Sequence, residues 1–349
     1  MSEVHCFTSI SLSYLDRARV LGTTLKKHHP DWVLWLCISD IDPHGLALDL
    51  SGDPFDHVVR VQDLDIHDFE QWAFGHDLVE LCTAVKGVML CRLLEQGGDK
   101  VVYLDPDIAV FGALDPVIDL LDRHSIVLTP HLTQPETSQS AILDNEVGSL
   151  KHGIYNLGFL GVRHSSEGVR FAGWWRDRLL AFCHDNVPGG LFTDQRWCDL
   201  IPALFEDFYI LRDPGYNVAA WNLSHRPLAF DVDGTLRARG YPVRFVHFTK
   251  VSSVGEAMLE RYANRRTEIF ELLKWYRQQL AVHAVSGLRP GYWGFGSYRD
   301  GTPIRRIERV TYRSRPPLKE RFPHPFDSGS GSFQAWCASN LTSPIQDSA

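Results

Sequence analysis

Apolar residues alternate at the start of the chain. Val4, Cys6 and Ile10 fall on one face of residues 4–10, which predicts a strand. Leu15, Ala18, Leu21 and Leu25 then recur at intervals of three and four, the spacing of a helix over 14–28. Residues 32–38 are uninterruptedly apolar and read as a second strand. Strand, helix, strand is the opening of a parallel sheet with crossover helices. A third strand is predicted over 57–61, and a helix over 78–94 that stops at Gly97-Gly98. Residues 100–104 form a short apolar strand that ends abruptly in Asp105-Pro106-Asp107.

Further along, the pattern predicts strands over 108–111, 125–129, 153–162, 208–211 and 243–248. Helices are predicted over 114–122, 169–182, 194–205 with Thr193 as N-cap, and 254–280 as one or two pieces. The polar stretch 133–140 reads as a mobile loop. From Ser286 the chain is rich in Gly, Pro and Arg and reads as a layer appended to the core. The fold class is therefore α/β, with a mostly parallel central sheet flanked by helices and a C-terminal extension. The division falls at residues 1–250 for the binding and catalytic unit and 251–349 for a helical, basic extension packed on it.

Composition changes this picture little. The 349 residues are 44% hydrophobic and 22% charged, with a net charge of −8, which describes a globular chain and argues against disorder and against a nucleic-acid binder. The longest apolar run, 32–38, is far short of the ~20 residues a spanning helix needs. The first residues lack the basic and apolar regions of a signal peptide, so the mature protein is expected to start at residue 1. Seven cysteines with no CxxC pair read as reduced thiols of a cytosolic protein. Charge is uneven: residues 289–321 hold nine Arg and Lys against three Asp and Glu. Such a segment is either a solvated face or an attraction for an anionic acceptor or a membrane surface.

The candidate chemistry lies after the strand at 100–104. Four Asp-x-Asp pairs occur, Asp40/Asp42, Asp63/Asp65, Asp105/Asp107 and Asp231/Asp233, and 29 aspartates make such pairs common by chance. Only Asp105/Asp107 follows a buried-type strand, at its carboxyl end, where open α/β sheets bind ligands. Two carboxylates there suit a hard divalent cation, Mg²⁺ or Mn²⁺.

Taken in order, "DKVVYLDPDIAVFGALD" (99–115), "YNLGFLGV" (155–162), "TDQRWCDLIPALF" (193–205) and "VRFVHF" (243–248), with Lys86 on the preceding helix, resemble the GT-A glycosyltransferases, of the family 8 type and of bacterial polysaccharide clusters. The resemblance covers roughly residues 4–250. It implies a Rossmann-like nucleotide-binding fold and a metal-dependent hexosyltransferase acting on a nucleotide-sugar donor, a UDP-sugar by the usual preference of such enzymes. It further implies a glycan or lipid-linked acceptor, a role in bacterial surface polysaccharide synthesis, and a cytoplasmic location with peripheral contact at the inner membrane face through the basic segment.

Carried over residue by residue, the resemblance makes Asp105, Asp107 and His247 metal ligands. It places Lys86 near the diphosphate or donor sugar, Asn156 and the pair Asp194-Gln195 along the sugar, Tyr14 against the nucleobase and Thr8 against the nucleoside. Asp194 and Gln195 are then the candidates for the chemical step. Two departures stand out: Ser11 and Leu12 replace an acidic residue before Tyr14, which leaves the base open, and the family's HxxGxxKPW continuation is missing, with Lys250 offered in its place for the phosphate.

Three other readings of particular segments remain. "LAFDVDGTL" (228–236) resembles the first motif of the haloacid-dehalogenase phosphohydrolases, with Asp231 as nucleophile and Asp233 as acid/base, although no later acidic pair follows and Asp233-Gly234 is better read as a hairpin turn. A catalytically inactive carbohydrate-binding relative is the third functional class. "GYNVAAWNLSHR" (215–226) concentrates amides and aromatics suited to sugar or acceptor contacts, or to a loop held by a buried tryptophan.

Overall fold

In the computed structural model, residues 3–46, 48–249, 254–263 and 266–341 are described. The central sheet has seven strands: β1 (Val4–Ile10), β2 (Val33–Ile38), β3 (His57–Arg60), β4 (Lys100–Leu104), β6 (Ile126–Pro130), β7 (Tyr155–Arg163) and β8 (Phe208–Ile210). Their spatial order is β8-β6-β7-β4-β1-β2-β3. β7 runs antiparallel to both β4 and β6, and the other neighbours are parallel. β1 and β4 are buried along their whole length, as apolar runs covered on both faces must be. The short β5 (Ile108–Val110) leaves this sheet and pairs antiparallel with β9 (Phe245–His247), bringing His247 opposite Ile108.

Three helices cover the sheet where the site lies. α1 (Leu15–His28) follows β1 after a turn of 3₁₀ helix at Leu12–Tyr14. α2 (Leu78–Glu95) begins at a capping box in which Asp77 accepts from the Glu80 N–H and Glu80 accepts from the Asp77 N–H. It packs along α3 (Ser166–Phe182), and Gly87 is required there, since a Cβ would lie 2.5 Å from Cα of Arg176.

Several expectations are corrected. Residues 194–205 form two short helices, Gln195–Cys198 and Ile201–Leu204, with Pro202 in the first turn of the second. Thr193 does not cap them: it has a left-handed φ of 43°, and its hydroxyl donates to Asp194 Oδ1 at 3.1 Å. The helical stretch expected over 254–280 in one or two pieces is two helices, Val254–Tyr262 and α4 (Glu268–Val282), and so needs no correction. The 133–140 stretch is anchored, because buried Glu136 accepts from Asn145 and from Ser224, both at 2.7 Å.

The chain after Ser286 is part of the main core. Phe295, Tyr312, Phe326 and Phe333 share a hydrophobic cluster with Phe7, Val85 and Tyr103. Four aromatic rings of this segment, from Tyr298, Tyr312, Phe326 and Phe333, surround Phe74 at centroid distances of 5.0 to 6.0 Å. Several of its arginines attach it to the rest of the chain and others pair within it. Arg309 is buried and donates to the carbonyls of Phe74, His76 and Phe295, and Arg313 donates to the Gly75 carbonyl and to Glu80. Arg299, Arg305 and Arg306 pair with Asp327, Glu308 and Asp77. Charge along the sequence could not distinguish this use from a solvated face.

Candidate active site

The candidate residues gather at the carboxyl end of β4 and the end of β9. Asp105 follows β4 directly, and its N–H donates to the Gly158 carbonyl on β7 at 2.9 Å. A turn closed by Ile108 N–H to Asp105 carbonyl then presents Asp107. His247 ends β9, and its Nε2 stands 3.0 Å from Asp107 Oδ1 and 3.5 Å from Asp105 Oδ2. One ligand atom from each of the three residues lies within 4.8 Å of the others. The structure thus brings together three residues of which the last lies 140 positions beyond Asp107.

The donor set fits a divalent cation. Two carboxylates and one imidazole are a reasonable set for Mn²⁺ or Mg²⁺. His247 Nδ1 faces Asn217 Oδ1 at 3.3 Å, so Nδ1–H is the donor there and Nε2 is left for the carboxylate side. Burial by itself would lower the His247 pKa, but Asp107 beside it, and then Asp105, hold it above the usual histidine value. Asp107 shows the reciprocal effect: burial raises its pKa, and His247, with Arg17 adding to it, leaves it lowered.

Behind the carboxylates lies a buried cation. Lys86, on α2, is 2% exposed, and its Nζ donates to Asp194 Oδ2 at 2.7 Å, to Asp105 Oδ1 at 3.2 Å and to the Leu157 carbonyl at 3.3 Å. It also lies 4.1 Å above the Tyr103 ring, and the Tyr103 hydroxyl donates to Asp105 Oδ1 at 2.5 Å. Burial would lower the Lys86 pKa, but Asp105 and Asp194 reverse this and hold it well above the ordinary lysine value. The Asp194 pKa is raised, chiefly by burial and with Asp105 adding to it, against the lowering by Lys86. Asp194 occupies the N-cap position of Gln195–Cys198 without capping it, because its carboxylate is spent on Lys86 and Thr193.

The remaining predicted residues fall as follows. Asn156, on β7, is buried and accepts from the Gly158 N–H at 2.8 Å. Gln195 accepts from the Leu157 N–H at 3.3 Å and donates to the His152 carbonyl at 2.9 Å, so its amide braces the start of β7. Thr8 is fully buried in β1, and its hydroxyl has no partner among the described residues. Tyr14, in the turn after β1, is half-buried, with the Arg17 guanidinium 4.2 Å over one face of its ring; burial and then Asp107 raise its pKa. Lys250 lies outside the described residues.

The 215–226 segment turns inward. Asn217, at φ 53°, donates to Thr129 Oγ1 at 2.9 Å; Asn222 accepts from the Ala219 N–H and donates to the Asn217 carbonyl, both at 3.0 Å. Buried Arg226 donates to the Tyr216 carbonyl, and Trp221 meets His247 edge to face at 5.7 Å. These amides therefore support His247 and their own loop, which corrects the expectation that they contact sugar. Asp231 and Asp233 sit in an exposed antiparallel hairpin, where Asp231 pairs with Arg237 and Gly234 takes φ 80°.

Sequence reasoning missed Tyr103, which carried a usable signal, because the two-residue period puts it on the face of Asp105. Gly158 and Asn217 lie inside the 155–162 and 215–226 segments, but no local pattern marks their contacts with His247.

No protein-family model matches the chain. It is similar to "Uncharacterized protein YfnF" of Bacillus subtilis (strain 168), 25% identical over 314 residues that cover 86% of this chain and 99% of that protein. It is also similar to "Uncharacterized protein YfnD" of the same strain, 24% identical over 262 residues, covering 73% and 80%. Among solved structures, similarity extends to the galactosyltransferase LgtC in complex with donor and acceptor sugar analogs, at 14% identity, 82% and 97% coverage and a TM-score of 0.47. It extends also to a glycosyltransferase involved in the glycosylation of the major capsid of PBCV-1, at 10% identity, 73% and 98% coverage and a TM-score of 0.40. A third is the glycosyltransferase GlyE of Streptococcus pneumoniae TIGR4, at 16% identity, 80% and 64% coverage and a TM-score of 0.43.

Proposed function

We propose that this chain is a metal-dependent GT-A glycosyltransferase of the hexosyltransferase type, moving a sugar from a nucleotide-sugar donor to a hydroxyl of a glycan or lipid-linked acceptor. The carrying observation is the convergence of Asp105, Asp107 and His247 at the carboxyl end of the central strands, beside the buried Lys86–Asp194 pair. The ordered motifs around these residues support the same reading. In the reaction, the bond between the anomeric carbon and the diphosphate oxygen breaks and its electron pair leaves with the diphosphate. The acceptor oxygen bonds to the same carbon and gives up its proton to the departing diphosphate.

Asp105, Asp107 and His247 would hold a divalent cation, which would supply Lewis-acid stabilisation of the leaving diphosphate. Lys86 holds the carboxylates of Asp105 and Asp194 in place before substrate arrives. Asp194 offers a fixed negative charge to the oxocarbenium-like sugar, and Asn156 lines the same side. Gln195 acts as a positioning residue through the β7 backbone. Thr8 and Tyr14 take the nucleoside, Tyr14 through the ring face that Arg17 does not cover, and Lys250 is proposed for the phosphate.

Residues 1–250 form the catalytic unit in this reading and 251–349 its stabilising extension. Unpaired cysteines accord with a cytoplasmic setting, and exposed Arg289, Arg315 and Arg321 are left for peripheral contact with an anionic membrane during surface polysaccharide assembly. No helix among the described residues is long and apolar enough to cross a membrane. The test is Mn²⁺-dependent hydrolysis of a panel of sugar nucleotides. Asp107→Ala should abolish it and Asp231→Asn should leave it intact; the opposite pattern would assign the chemistry to the phosphohydrolase motif.

A further inference from the structure

Asp40 is a buried carboxylate that no step above uses. It stands just beyond the end of β2, is 0% exposed, and accepts backbone N–H groups from its own neighbour and from two distant segments. Oδ2 accepts from Leu12 at 2.9 Å, and Oδ1 accepts from Ile41 at 2.8 Å and from Gly294 at 2.6 Å. Leu12 opens the 3₁₀ turn Leu12–Tyr14, and Gly294 belongs to the C-terminal segment. Burial, with Asp42 adding to it, pushes the Asp40 pKa up to about 6 against the lowering by the three N–H groups, so near pH 7.5 the carboxylate is charged.

The C-terminal segment is fitted closely to this carboxylate. The Tyr292 hydroxyl donates to the Ile41 carbonyl at 2.9 Å, and a Cβ on Gly294 would lie 2.8 Å from Ile41 Cβ and 3.1 Å from Asp40 Oδ1. Val285, Leu288 and Tyr292 pack against the cluster of Ile10, Leu12, Leu15 and Ile38, and Tyr14 packs against the same cluster. Ser11 does not cap the turn with its side chain, and the Leu12 N–H is satisfied by Asp40 instead. The turn that carries Tyr14 is thus tied through one side chain to a segment near the other end of the chain.

We infer that Asp40 is a positioning residue for nucleoside recognition, holding the turn that carries Tyr14 in register with the C-terminal segment at 292–294. The inference rests on the glycosyltransferase reading, which puts the nucleoside on Tyr14, and adds to it a dependence on the C-terminal extension. A ring that stacks on a base contributes full affinity only if its orientation is fixed before the ligand arrives, and Asp40 supplies that fixation to the turn. Asparagine cannot replace it, because an amide has one acceptor oxygen and its NH₂ would face a backbone N–H. The carboxylate acts through the turn, since its oxygens are taken by these three donors.

The test is calorimetry on the full chain at pH 7.5 in MnCl₂, with UDP, GDP, CDP, ADP and dTDP, the matching free nucleosides, and inorganic pyrophosphate as a probe that has no base. Asp40→Asn should weaken the preferred nucleoside diphosphate and its nucleoside by about tenfold, while pyrophosphate binds as it does to the wild type. Gly294→Ala leaves the carboxylate in place but pushes the C-terminal segment away from it, and should reproduce that pattern. Tyr292→Phe removes only the bond to the Ile41 carbonyl and should give a smaller loss, about threefold. These two variants decide the matter even if Asp40→Asn does not fold. An equal loss of pyrophosphate would mark a general loss of structure and overturn the inference. If Gly294→Ala and Tyr292→Phe lose melting temperature but keep full nucleoside affinity, Asp40 is only a structural carboxylate, and the inference falls while the glycosyltransferase reading stands. If the wild type binds no nucleoside diphosphate in MnCl₂, both fall together.

Discussion

His247 and Gly158 are packed so closely that no other side chain fits at position 158. A Cβ there would lie 2.6 Å from Cε1 and 2.7 Å from Nδ1 of His247, and 2.9 Å from Asn156 Oδ1. The glycine lets the imidazole lie against β7 and reach the two aspartates, with Asn217 fixing its far nitrogen. Gly158→Ala should therefore displace His247 more than it disturbs the fold. We expect Mn²⁺ affinity to fall by at least about tenfold, as when ligand-supporting groups are altered, with a stability loss of roughly 1 to 3 kcal/mol from overpacking. Titration of Mn²⁺ followed by the paramagnetic signal of the free ion measures the first and thermal melting the second. Unchanged Mn²⁺ affinity would remove His247 from the metal site.

The Lys86–Asp194 pair makes a separate claim. Both side chains are buried, so removing one leaves the other as an uncompensated charge, at a cost of roughly 3 to 5 kcal/mol. Lys86→Met should be severely destabilising, and adding Asp194→Asn to it should recover part of the loss. Asp194→Asn alone keeps the shape, and Lys86 retains Asp105. Its turnover should drop by ~10²-fold or more while nucleoside diphosphate affinity changes little. Turnover and melting temperature measured on one preparation decide the matter: a mutant that loses stability but keeps its rate confines Asp194 to a structural role.

How much of this was legible beforehand follows from the range of the interactions. The strand at 100–104 and the carboxylates that end it could be read locally, because a buried strand announces itself by composition and Asp105-Pro106-Asp107 terminates it. His247 could be placed only by resemblance, since no periodicity links it to Asp107. Asn217 looked like a sugar ligand because amides in loops suit hydroxyls, yet its partners are Thr129 and His247, distant in sequence. The arginines of the tail misled for a related reason. Arg309 is 2% exposed and satisfies three carbonyls, and a charge count says nothing about which way a side chain points. Asp231 and Asp233 matched a motif in sequence, but a solvent-exposed antiparallel hairpin is not the carboxyl end of a parallel strand.

The attachment of the C-terminal segment makes stability depend on pH in a predictable direction. His76 is buried between Trp72, whose carbonyl faces its Nδ1 at 2.7 Å, and half-buried His184, and its own carbonyl accepts from Arg309. Burial pushes its pKa down to about 3; the Trp72 carbonyl and Glu80 oppose the shift, while His184 and Arg313 add to it. Burial, with Arg313, lowers His184 to about 4. In the unfolded chain both histidines take a proton near pH 6.5, whereas the folded protein refuses it until far lower pH. The unfolded state therefore binds more protons between about 6.5 and 3, and stability falls as pH drops through that window while staying level above it. His247 works the other way, because its raised pKa stabilises the protein below about pH 6.5 and that contribution fades as pH rises through the folded value. The His76 effect should dominate the acid limb. Chemical denaturation at pH 4.5, 5.5 and 7.5 should show a steep loss in the wild type and a shallower one in His76→Gln, even though that variant begins less stable at pH 7.5. Parallel acid limbs for the two proteins would mean that His76 does not hold the neutral form, and that the segment around Arg309 is insensitive to its charge.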